Sequence, residues 1–427
     1  MRHERVAMLA AVGTLAVWAV TCKSGDGPPP SPVGGPPAVD AGVDMHTVPG
    51  HAAGFTARVT IPQGASASNY TWTVTWGDAS ADSGTVSASG LINTTHTYST
   101  VGQYLTRLAS RGPNPADTAW DTVRIHVDDA SAPQTFIGAG DIAECKPNVA
   151  HPWWVEKTAA VIDTTSGTVF TVGDNAYSDE GPGNGGTTTA YQNCYDPFWG
   201  KLKKRTRPTP GNHEFQEYPH DTTADGYFGY FGVAAHTKPF GWYSYDVGSW
   251  HIIVLNSNFE ISEAAGRNIP LAAQLAWLDS DLAAHPATCT LAMWHHPRFS
   301  SGVVHGNDTL MKPLWQHLYD AGADVILVGH EHNYERFAPQ TPDGVADPTR
   351  GIREFVVGTG GGGYDTLDVN KVGQGNSEVG SVDHGLLKLT LLPGSYKWQF
   401  VPVGYTLPVD QTPPQYSHTD SGTASCH

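Results

Sequence analysis

The feature that most constrains this chain is a run of four aliphatic residues, Val325 to Val328, followed by Gly329-His330-Glu331-His332. The aliphatic run predicts a buried strand that ends at the glycine. In an α/β sheet, the loop after the carboxyl end of a strand is where functional side chains lie. Imidazole is the commonest metal ligand, so this loop is a candidate metal site. A single His-x-His pair is weak evidence, and the case depends on whether other strands end in similar residues.

Four further segments end in residues of the kind that bind metals. An aspartate after a glycine is usually a turn residue, and a lone histidine is usually structural, but five such strand ends rarely arise by chance. Nitrogen and oxygen donors in this number exceed the needs of one ion and suit two ions bridged by one carboxylate. The candidate donors are Asp141, Asp174, Tyr177, Asn212, His295, His330 and His332.

Composition argues against several classes of protein. The formal net charge of −17 over 427 residues disfavours a surface that binds nucleic acid or anionic lipid. The 48 glycines, 31 prolines and 13 tryptophans indicate a loop-rich β or α/β protein rather than a helical bundle. The length is sufficient for two domains.

The first 22 residues have the pattern of an export signal. Two arginines precede an apolar run over 6–20, which suits a signal peptide and is short for a transmembrane span. The sequence Ala19-Val20-Thr21-Cys22 resembles the acylation site of bacterial lipoproteins. We therefore expect an exported protein, either held at the cell surface by a lipid on Cys22, its only membrane contact, or secreted or periplasmic.

The rest of the chain divides by pattern. Residues 23–50 are rich in proline, glycine and serine, which predicts an extended linker. Residues 51–129 contain short alternating strands, which predicts a small β-sandwich. Residues 134–405 alternate buried strands with helical stretches, which predicts an α/β domain with mixed sheets, and 406–427 form a C-terminal tail. Helices are predicted at 153–162, 271–282 and 311–318.

Four cysteines follow Cys22, and export would place them in an oxidising compartment. Cys145 and Cys194 flank segments that must both lie near the candidate site, so we pair them. Cys289 and Cys426 then form the second disulfide. Four cysteines allow three connectivities, so the other pairings stay open.

Residues 51–129 resemble a known β-sandwich repeat. The motifs Trp76-Gly77-Asp78, His96-Thr97-Tyr98 and Val101-Gly102-Gln103-Tyr104 are similar to the polycystic-kidney-disease (PKD) repeat, an immunoglobulin-like module. The resemblance implies structural roles for Asp78 and His96. Such a module could contact a polymer or a partner, or act as a spacer.

The candidate donors lie in motifs that resemble those of calcineurin-like metallophosphoesterases. The position of Tyr177 and the sequence Tyr334-Glu335-Arg336 are similar to purple acid phosphatases in particular. The resemblance spans roughly 135 to 401 and implies a four-layer sandwich of two mixed β-sheets flanked by helices. The motifs are Gly140-Asp141, Gly173-Asp174-Asn175-Ala176-Tyr177, Gly211-Asn212-His213-Glu214, His295 and Gly329-His330-Glu331-His332.

The resemblance implies a centre of two metal ions that share Asp174. The first ion, Fe(III) in purple enzymes, would be held by Asp141, Asp174, Tyr177 and His332. The second, a divalent Zn, Fe or Mn ion, would be held by Asp174, Asn212, His295 and His330. If Tyr177 only contacts the ligands, the identity of both metals stays open.

The resemblance also implies roles for residues around the metals. His213 would donate a proton to the leaving group or stabilise the transition state. His305 matches a second histidine that faces the substrate in the plant members, with a plain loop histidine as the alternative. Glu214, Glu331 and Arg336 would orient the ligand histidines or be solvated loop charges.

These features together predict an exported phosphatase that acts on small phosphate monoesters. Two cations neutralise phosphate oxygens and lower the pKa of bound water, so a metal-bound hydroxide would attack the phosphorus in line. A phosphodiesterase or nucleotidase of the same fold is one alternative, and a surface binding protein with a vestigial catalytic domain is another. The glycine run 358–363 is predicted to be a loop near the cleft. His51, His251 and His384 lie in no motif and are assigned no role.

Overall fold

The three-dimensional structure is a computed structural model. It describes residues 34–144, 153–177, 185–215, 223–259, 269–404, 413 and 416–427. The predicted signal segment with Cys22, and Cys145, lie outside these residues. Within the described ranges, each helix is too short or too polar to cross a bilayer.

The first part of the described chain folds into two β-sheets. Its strands are β1 (Ala38–Asp40), β2 (Met45–Thr47), β3 (Ala52–Thr60), β4 (Thr71–Thr75), β5 (Ala81–Thr85), β6 (Leu91–Thr97), β7 (Gly102–Arg111) and β8 (Thr118–Val127). The sheet orders are β1-β3-β6 and β2-β8-β7-β4-β5. Every second side chain of β3 is buried, as expected for a strand with one face on a core. The core includes Phe55, Trp76 and Tyr98.

The prediction that residues 23–50 form an extended linker is wrong for the second half of that range. β1 pairs antiparallel with β3, and β2 pairs parallel with β8, so both strands belong to the sandwich. These strands are hard to recognise in the sequence because proline and glycine surround them and each has only three residues. Their stability comes from partners far along the chain, which a local composition does not reveal.

The second part of the chain is built on two larger sheets. Its strands are β9 (Gln134–Ala139), β10 (Ala143–Glu144), β11 (Thr168–Thr171), β12 (Ala176–Tyr177), β13 (Thr206–Arg207), β14 (Tyr243–Val247), β15 (Trp250–Val254), β16 (Cys289–Met293), β17 (Val325–Val328), β18 (Tyr334–Phe337), β19 (Arg353–Val357), β20 (Ser377–Ser381), β21 (His384–Leu392), β22 (Ser395–Gly404) and β23 (Asp420–Ser425). One sheet has the order β13-β11-β9-β21-β22-β23, and the other has the order β14-β15-β16-β17-β19-β18-β20. β10 and β12 form a separate pair.

Helices accompany these sheets. They are α1 (Trp153–Asp163), α2 (Thr188–Ala190), α3 (Asp196–Trp199), α4 (Asp225–Phe231), α5 (Leu271–Ala284) and α6 (Lys312–Asp320). A π-helical turn, Tyr191–Tyr195, joins α2 to α3. α1 contacts β21 and β22, and α5 contacts α6. The three predicted helices correspond to α1, α5 and α6.

The predicted fold class is confirmed: a mixed α/β domain of two sheets follows a small β-sandwich. β9, β11 and β13 run parallel, as do β15, β16, β17 and β19. β15, β16 and β17 are buried at every residue, as expected for strands covered on both faces. The carboxyl ends of parallel strands lie at one edge of each sheet, and the candidate donors follow those ends.

The carboxyl-terminal residues complete the first of these sheets. β23 pairs antiparallel with β22, so the predicted tail 406–427 contains a strand of the domain. Cys289 in β16 and Cys426 form a disulfide with Cα atoms 5.5 Å apart. Cys194 is also disulfide-bonded. The tail prediction failed because the strand is rich in serine, glycine and threonine and has no apolar pattern to mark it.

Candidate metal centre

Four loops at strand ends converge on one cleft. Asp141 follows β9, Asp174 follows β11, His295 follows β16 and His330 follows β17. Asp141, Asp174 and His330 have φ angles of 57°, 48° and 71°, in the left-handed region that side chains rarely adopt. Each such residue costs about 1–3 kcal/mol, and such strain is concentrated at functional sites.

The first donor set is centred on the hydroxyl group of Tyr177. It lies 2.8 Å from Asp141 Oδ1, 3.2 Å from Asp174 Oδ2 and 3.1 Å from His332 Nε2. His332 Nε2 also lies 3.2 Å from Asp141 Oδ1. These four side chains are the set that the sequence assigned to the first ion.

The second donor set is centred on His295 Nε2. That atom lies 3.0 Å from Asn212 Oδ1, 3.2 Å from His330 Nδ1 and 3.4 Å from Asp174 Oδ2. The backbone amide of His330 donates to Asp141 Oδ2 at 2.9 Å, which ties the two sets together. Asp174 belongs to both sets, so it is placed to bridge two ions.

Hydrogen bonds of two ligand histidines identify the nitrogen that could bind a cation. His295 Nδ1 lies 2.8 Å from the carbonyl of Val172, and His332 Nδ1 lies 3.2 Å from the carbonyl of Gly363. A carbonyl only accepts, so each Nδ1 carries the proton and each Nε2 faces the donor cluster. Metal-binding histidines commonly have this second contact, which fixes the tautomer.

The ionisation of the side chains at the site favours binding of a cation. Burial raises the pKa of Asp174, but His295 and His213 hold it well below its ordinary value. Burial lowers the pKa of His295, but Asp174 and Asp141 raise it to about 9. The pKa of His332 is likewise raised to about 9 by Asp141. Protons on these rings supply positive charge that metal ions would replace.

Glycines leave room for the ligand side chains. A Cβ atom on Gly211 would lie 2.2 Å from Asp174 Oδ1, and one on Gly329 would lie 2.6 Å from Asp141 Oδ2. A Cβ atom on Gly173 would lie 2.5 Å from the His295 ring. The mixed oxygen and nitrogen donors and this close packing therefore fit a pair of metal ions.

His213 and His305 flank the donor cluster. The amide of His213 donates to Asp174 Oδ1 at 2.9 Å, and its Nε2 lies 3.8 Å from Asp174 Oδ2. The exposed ring of His305 lies over His330, with centroids 3.9 Å apart. Both imidazoles are therefore beside the candidate ligands without belonging to either donor set.

Glu214 and Glu331 support the ligand loops through the backbone. Glu214 accepts from the amides of Asp174 at 3.0 Å and Gly211 at 2.6 Å. Burial and Asp174 raise the pKa of Glu214 to about 7. Glu331 accepts from the amide of His305 at 2.8 Å. These carboxylates position loops rather than orient the ligand imidazoles directly.

The predicted role of Arg336 is wrong. Arg336 lies in β18, and its guanidinium pairs with Asp420 at 2.7 Å and also contacts Glu378. Asp420 accepts further hydrogen bonds from Tyr334 and Trp398. Arg336 therefore joins β18 to the C-terminal strand, because Asp420 is brought there by a pairing that the sequence did not reveal.

Three residues at the site were not predicted. Asp365 accepts from the amide of His332 at 3.0 Å, and Tyr191 donates to Glu214 at 3.0 Å. The buried His296, next to His295, lies 2.7 Å from Ser257 through Nδ1, and its ring centroid lies 4.5 Å from that of His330. The sequence His295-His296-Pro297 carried a signal for His296, whereas Asp365 and Tyr191 lie outside any motif.

Residues 127–334 match the family model described as calcineurin-like phosphoesterase. Purple acid phosphatase 22 of Arabidopsis thaliana is 27% identical over 250 residues, which cover 54% of this chain and 50% of that protein. Acid phosphatase type 7 of Homo sapiens is 30% identical over 190 residues, which cover 40% of this chain and 41% of that protein. The chain thus spans about half the length of these relatives or less.

A solved structure resembles this fold. The purple acid phosphatase PPD1 from yellow lupin (Lupinus luteus) seeds matches with a TM-score of 0.59 at 15% sequence identity. The match covers 92% of this chain and 74% of that chain. At this identity the likeness concerns the fold alone.

Proposed function

Since the chain carries a calcineurin-like phosphoesterase domain, similar in sequence to purple acid phosphatases, we propose that it is an exported hydrolase of phosphate monoesters. The observation that carries the proposal is the pair of donor sets that share Asp174. Their contacts of 2.8–3.4 Å between ligand atoms match the separation of about 3.3 Å expected between ligands of one metal ion with bonds near 2.0 Å.

Two metal ions fit these donors. Asp141, Tyr177 and His332 would hold one ion, and Asn212, His295 and His330 would hold the other, with Asp174 shared. When bound, the ions would neutralise phosphate oxygens and lower the pKa of water. An Fe(III) ion beside Tyr177 with a divalent Zn, Fe or Mn ion is the pairing that we propose.

His213 is the residue that we assign to proton transfer. Its imidazole is one-quarter exposed and lies edge-on to Tyr177, with ring centroids 4.7 Å apart. An imidazole at the mouth of the cleft can protonate a leaving alkoxide, which contributes about 10²–10⁴-fold to a rate. His305, which is exposed above His330, would contact the phosphate oxygens.

The names of the relatives favour a monoester substrate, since several are acid phosphatases. The test compares hydrolysis of p-nitrophenyl phosphate with that of bis(p-nitrophenyl) phosphate by the purified full chain. We expect a higher kcat/KM for the monoester. A higher kcat/KM for the diester would assign the site to a phosphodiesterase instead.

Metal content separates an enzyme from a binding protein with a vestigial centre. Protein purified without chelator is expected to hold about two ions at this centre and to lose hydrolysis when they are removed. His317→Ala, at a partly exposed histidine of α6 that pairs with Asp279, serves as the control variant. Less than about one ion at this centre, with no hydrolysis of either ester, would support the vestigial alternative.

We also propose that the chain is exported through its first 22 residues and that Cys22 is acylated. The β-sandwich would then separate the hydrolase from the membrane surface or contact a polymer. Labelling with a fatty-acid analogue tests the anchor, with Cys22→Ser as the control. Release of both the wild type and Cys22→Ser into the medium would show ordinary secretion.

A further inference from the structure

A second cluster of metal-type side chains lies away from the candidate metal centre. His251 is near the amino end of β15, whereas the candidate centre follows the carboxyl ends of the strands parallel to it. Asp281 lies in the last turn of α5, and His285 follows that helix directly. Asp246 in β14 is paired with His251 across the hairpin.

The donor atoms of this cluster are spaced as ligands of one ion. His251 Nε2 lies 2.9 Å from Asp281 Oδ2, and His285 Nδ1 lies 3.2 Å from Asp281 Oδ1. His285 Nδ1 also lies 2.9 Å from the backbone carbonyl of Asp281, so it must release that carbonyl and its proton to bind an ion. All three donor atoms lie within 4.8 Å of one another. Ligands of a tetrahedral zinc ion with bonds of about 2.0–2.1 Å are about 3.3 Å apart, so only small movements would admit the ion.

Asp246 contacts the other ring nitrogen of His251, the one that does not face Asp281. Its Oδ1 lies 2.9 Å from His251 Nδ1. A carboxylate on Nδ1 leaves Nε2 as the ligand atom and raises its basicity, which is the usual support of a zinc-binding histidine. Asp281 and His285 are four residues apart at the carboxyl end of α5, where the helix dipole also favours a cation.

An ion pair alone accounts for only part of this cluster. Burial lowers the pKa of His251, but Asp246 and Asp281 raise it to about 9, so the ring can be an imidazolium between two carboxylates. Such an ion pair requires His251 but gives no role to His285. His285 is half exposed, stacks on His251 with centroids 4.9 Å apart and directs a second imidazole nitrogen to Asp281.

The cluster is open to ions from solvent. His251 and His285 line a cavity of about 890 Å³ between the β-sandwich and the second domain. Arg207 also lines this cavity, but its guanidinium lies over Tyr245 and donates to the carbonyl of Asp44. This cationic side chain is thus already engaged by the protein.

We propose that His251, Asp281 and His285 bind a divalent ion of the zinc class, with Asp246 as the positioning residue for His251. The donor set of two imidazoles and one carboxylate is typical of zinc sites that keep a fourth position for water or another ligand. A bound ion would connect the end of α5 to the β14–β15 hairpin beside the cavity. This site does not depend on the proposed phosphatase function.

Zinc stoichiometry tests the site. The full chain, stripped by chelator, is dialysed against zinc, and bound metal is measured for the wild type, His285→Ala and the control His317→Ala. His317 is a suitable control because it is a partly exposed histidine paired with Asp279 at 2.6 Å. We expect His285→Ala to bind about one ion fewer than the other two proteins, with ester hydrolysis unchanged in all three.

The same stoichiometry in His285→Ala and the wild type would overturn the proposal. Asp174→Asn separates this outcome from failure of the phosphatase centre, because the zinc that depends on His285 should persist in that variant. His285→Cys should restore the ion, since thiolate binds zinc, whereas His285→Gln should not. Asp246→Asn should weaken zinc binding by about 10–100-fold without changing the stoichiometry, and unchanged affinity would remove its positioning role.

Discussion

Tyr177 illustrates how one side chain can hold a donor set together. Its hydroxyl contacts Asp141, Asp174 and His332, although it lies in a two-residue strand, β12. Burial, Asp141 and Asp174 raise its pKa well above the ordinary value, so without metal it is a phenol that donates to carboxylates. A trivalent cation would favour the phenolate instead.

Tyr177→Phe tests whether this phenol is a ligand. We expect the protein to lose visible charge-transfer absorption while retaining its fold, with activity reduced by about 10–100-fold. Absorption spectra and metal analysis of the two proteins are the measurements. A spectrum that persists unchanged in Tyr177→Phe would show that the hydroxyl only contacts the ligands.

His213→Ala tests proton donation to the leaving group. We expect kcat for an alkyl phosphate to fall by about 10²–10⁴-fold, because a poor leaving group needs a proton. The loss for p-nitrophenyl phosphate should be smaller, since p-nitrophenolate leaves without one. His305→Ala is the comparison, and equal losses for both substrates in His213→Ala would contradict the assignment.

At the scale of elements, the turns after β9, β11 and β17 determine the site more than the strands do. Their residues adopt left-handed conformations, and neighbouring glycines pack directly on ligand oxygens. The amide of His330 in the turn after β17 donates to Asp141, and the amide of Asp174 in the turn after β11 donates to Glu214. A change in one turn should therefore affect metal binding before it affects the sheets.

Gly329→Ala tests this view. A Cβ atom there would lie 2.6 Å from Asp141 Oδ2 and 3.0 Å from the carbonyl of Val172. We expect metal affinity to fall by about 100-fold, since Asp141 must move. Gly229→Ala in α4 is the matched control, because that position has open space and alanine stabilises a helix by about 0.8–1.0 kcal/mol. Equal metal affinity in both variants would contradict the prediction.

The turn after β4 supplies a pH-dependent prediction. Burial raises the pKa of Asp78, but hydrogen bonds from Ser80 and His96 lower it to about 2 from an ordinary value of 3.8. A depressed pKa of an acid contributes stability above the unfolded value, and this contribution is lost as pH falls from about 4 towards 2.

Thermal unfolding of the wild type and Asp78→Asn between about pH 5 and pH 3 measures this contribution. The wild type should be the more stable protein at the higher pH, and the difference should shrink as the pH falls. Asp320→Asn is a useful control because that aspartate is exposed at the end of α6, beside Gln316. If the difference in stability between the wild type and Asp78→Asn stays constant with pH, ionisation of Asp78 is not its source.

At the scale of the whole molecule, the C-terminal residues bind the two large sheets together. The disulfide Cys289–Cys426 spans 137 residues and joins β16 to the end of the chain beyond β23. The amide of His427 also donates to Asp324 at 3.0 Å. The end of the chain is therefore fixed to the sheet that carries His295.

Replacing both Cys289 and Cys426 with alanine should lower the free energy of unfolding by about 2–5 kcal/mol, because the unfolded chain gains freedom over a long loop. The lower melting temperature should appear only under oxidising conditions. Reduced wild type and the reduced double variant are the control pair and should have the same stability, because reduction also opens the disulfide of Cys194 in both proteins. Equal stability of oxidised and reduced wild type would contradict the prediction.

The parts that the sequence predicted are those with a local signal. A run of buried aliphatic residues marks a strand such as β17, and a metal-type residue after it marks a ligand such as His330. β1 and β23 are short or polar and depend on distant partners, so they gave no such signal. Arg336 was misassigned for the same reason, since its partner Asp420 comes from β23. The His251 cluster likewise forms from three segments without a motif.

The pairing of β9 with β21 has a consequence for synthesis of the protein. β9 begins at Gln134, but its neighbour β21 begins at His384. A nascent chain that has not yet reached β21 leaves the backbone of β9 open along one side. The sheet that contains β9 can therefore close only after β21 has been synthesised, and chains truncated before β21 should aggregate rather than accumulate in a folded form.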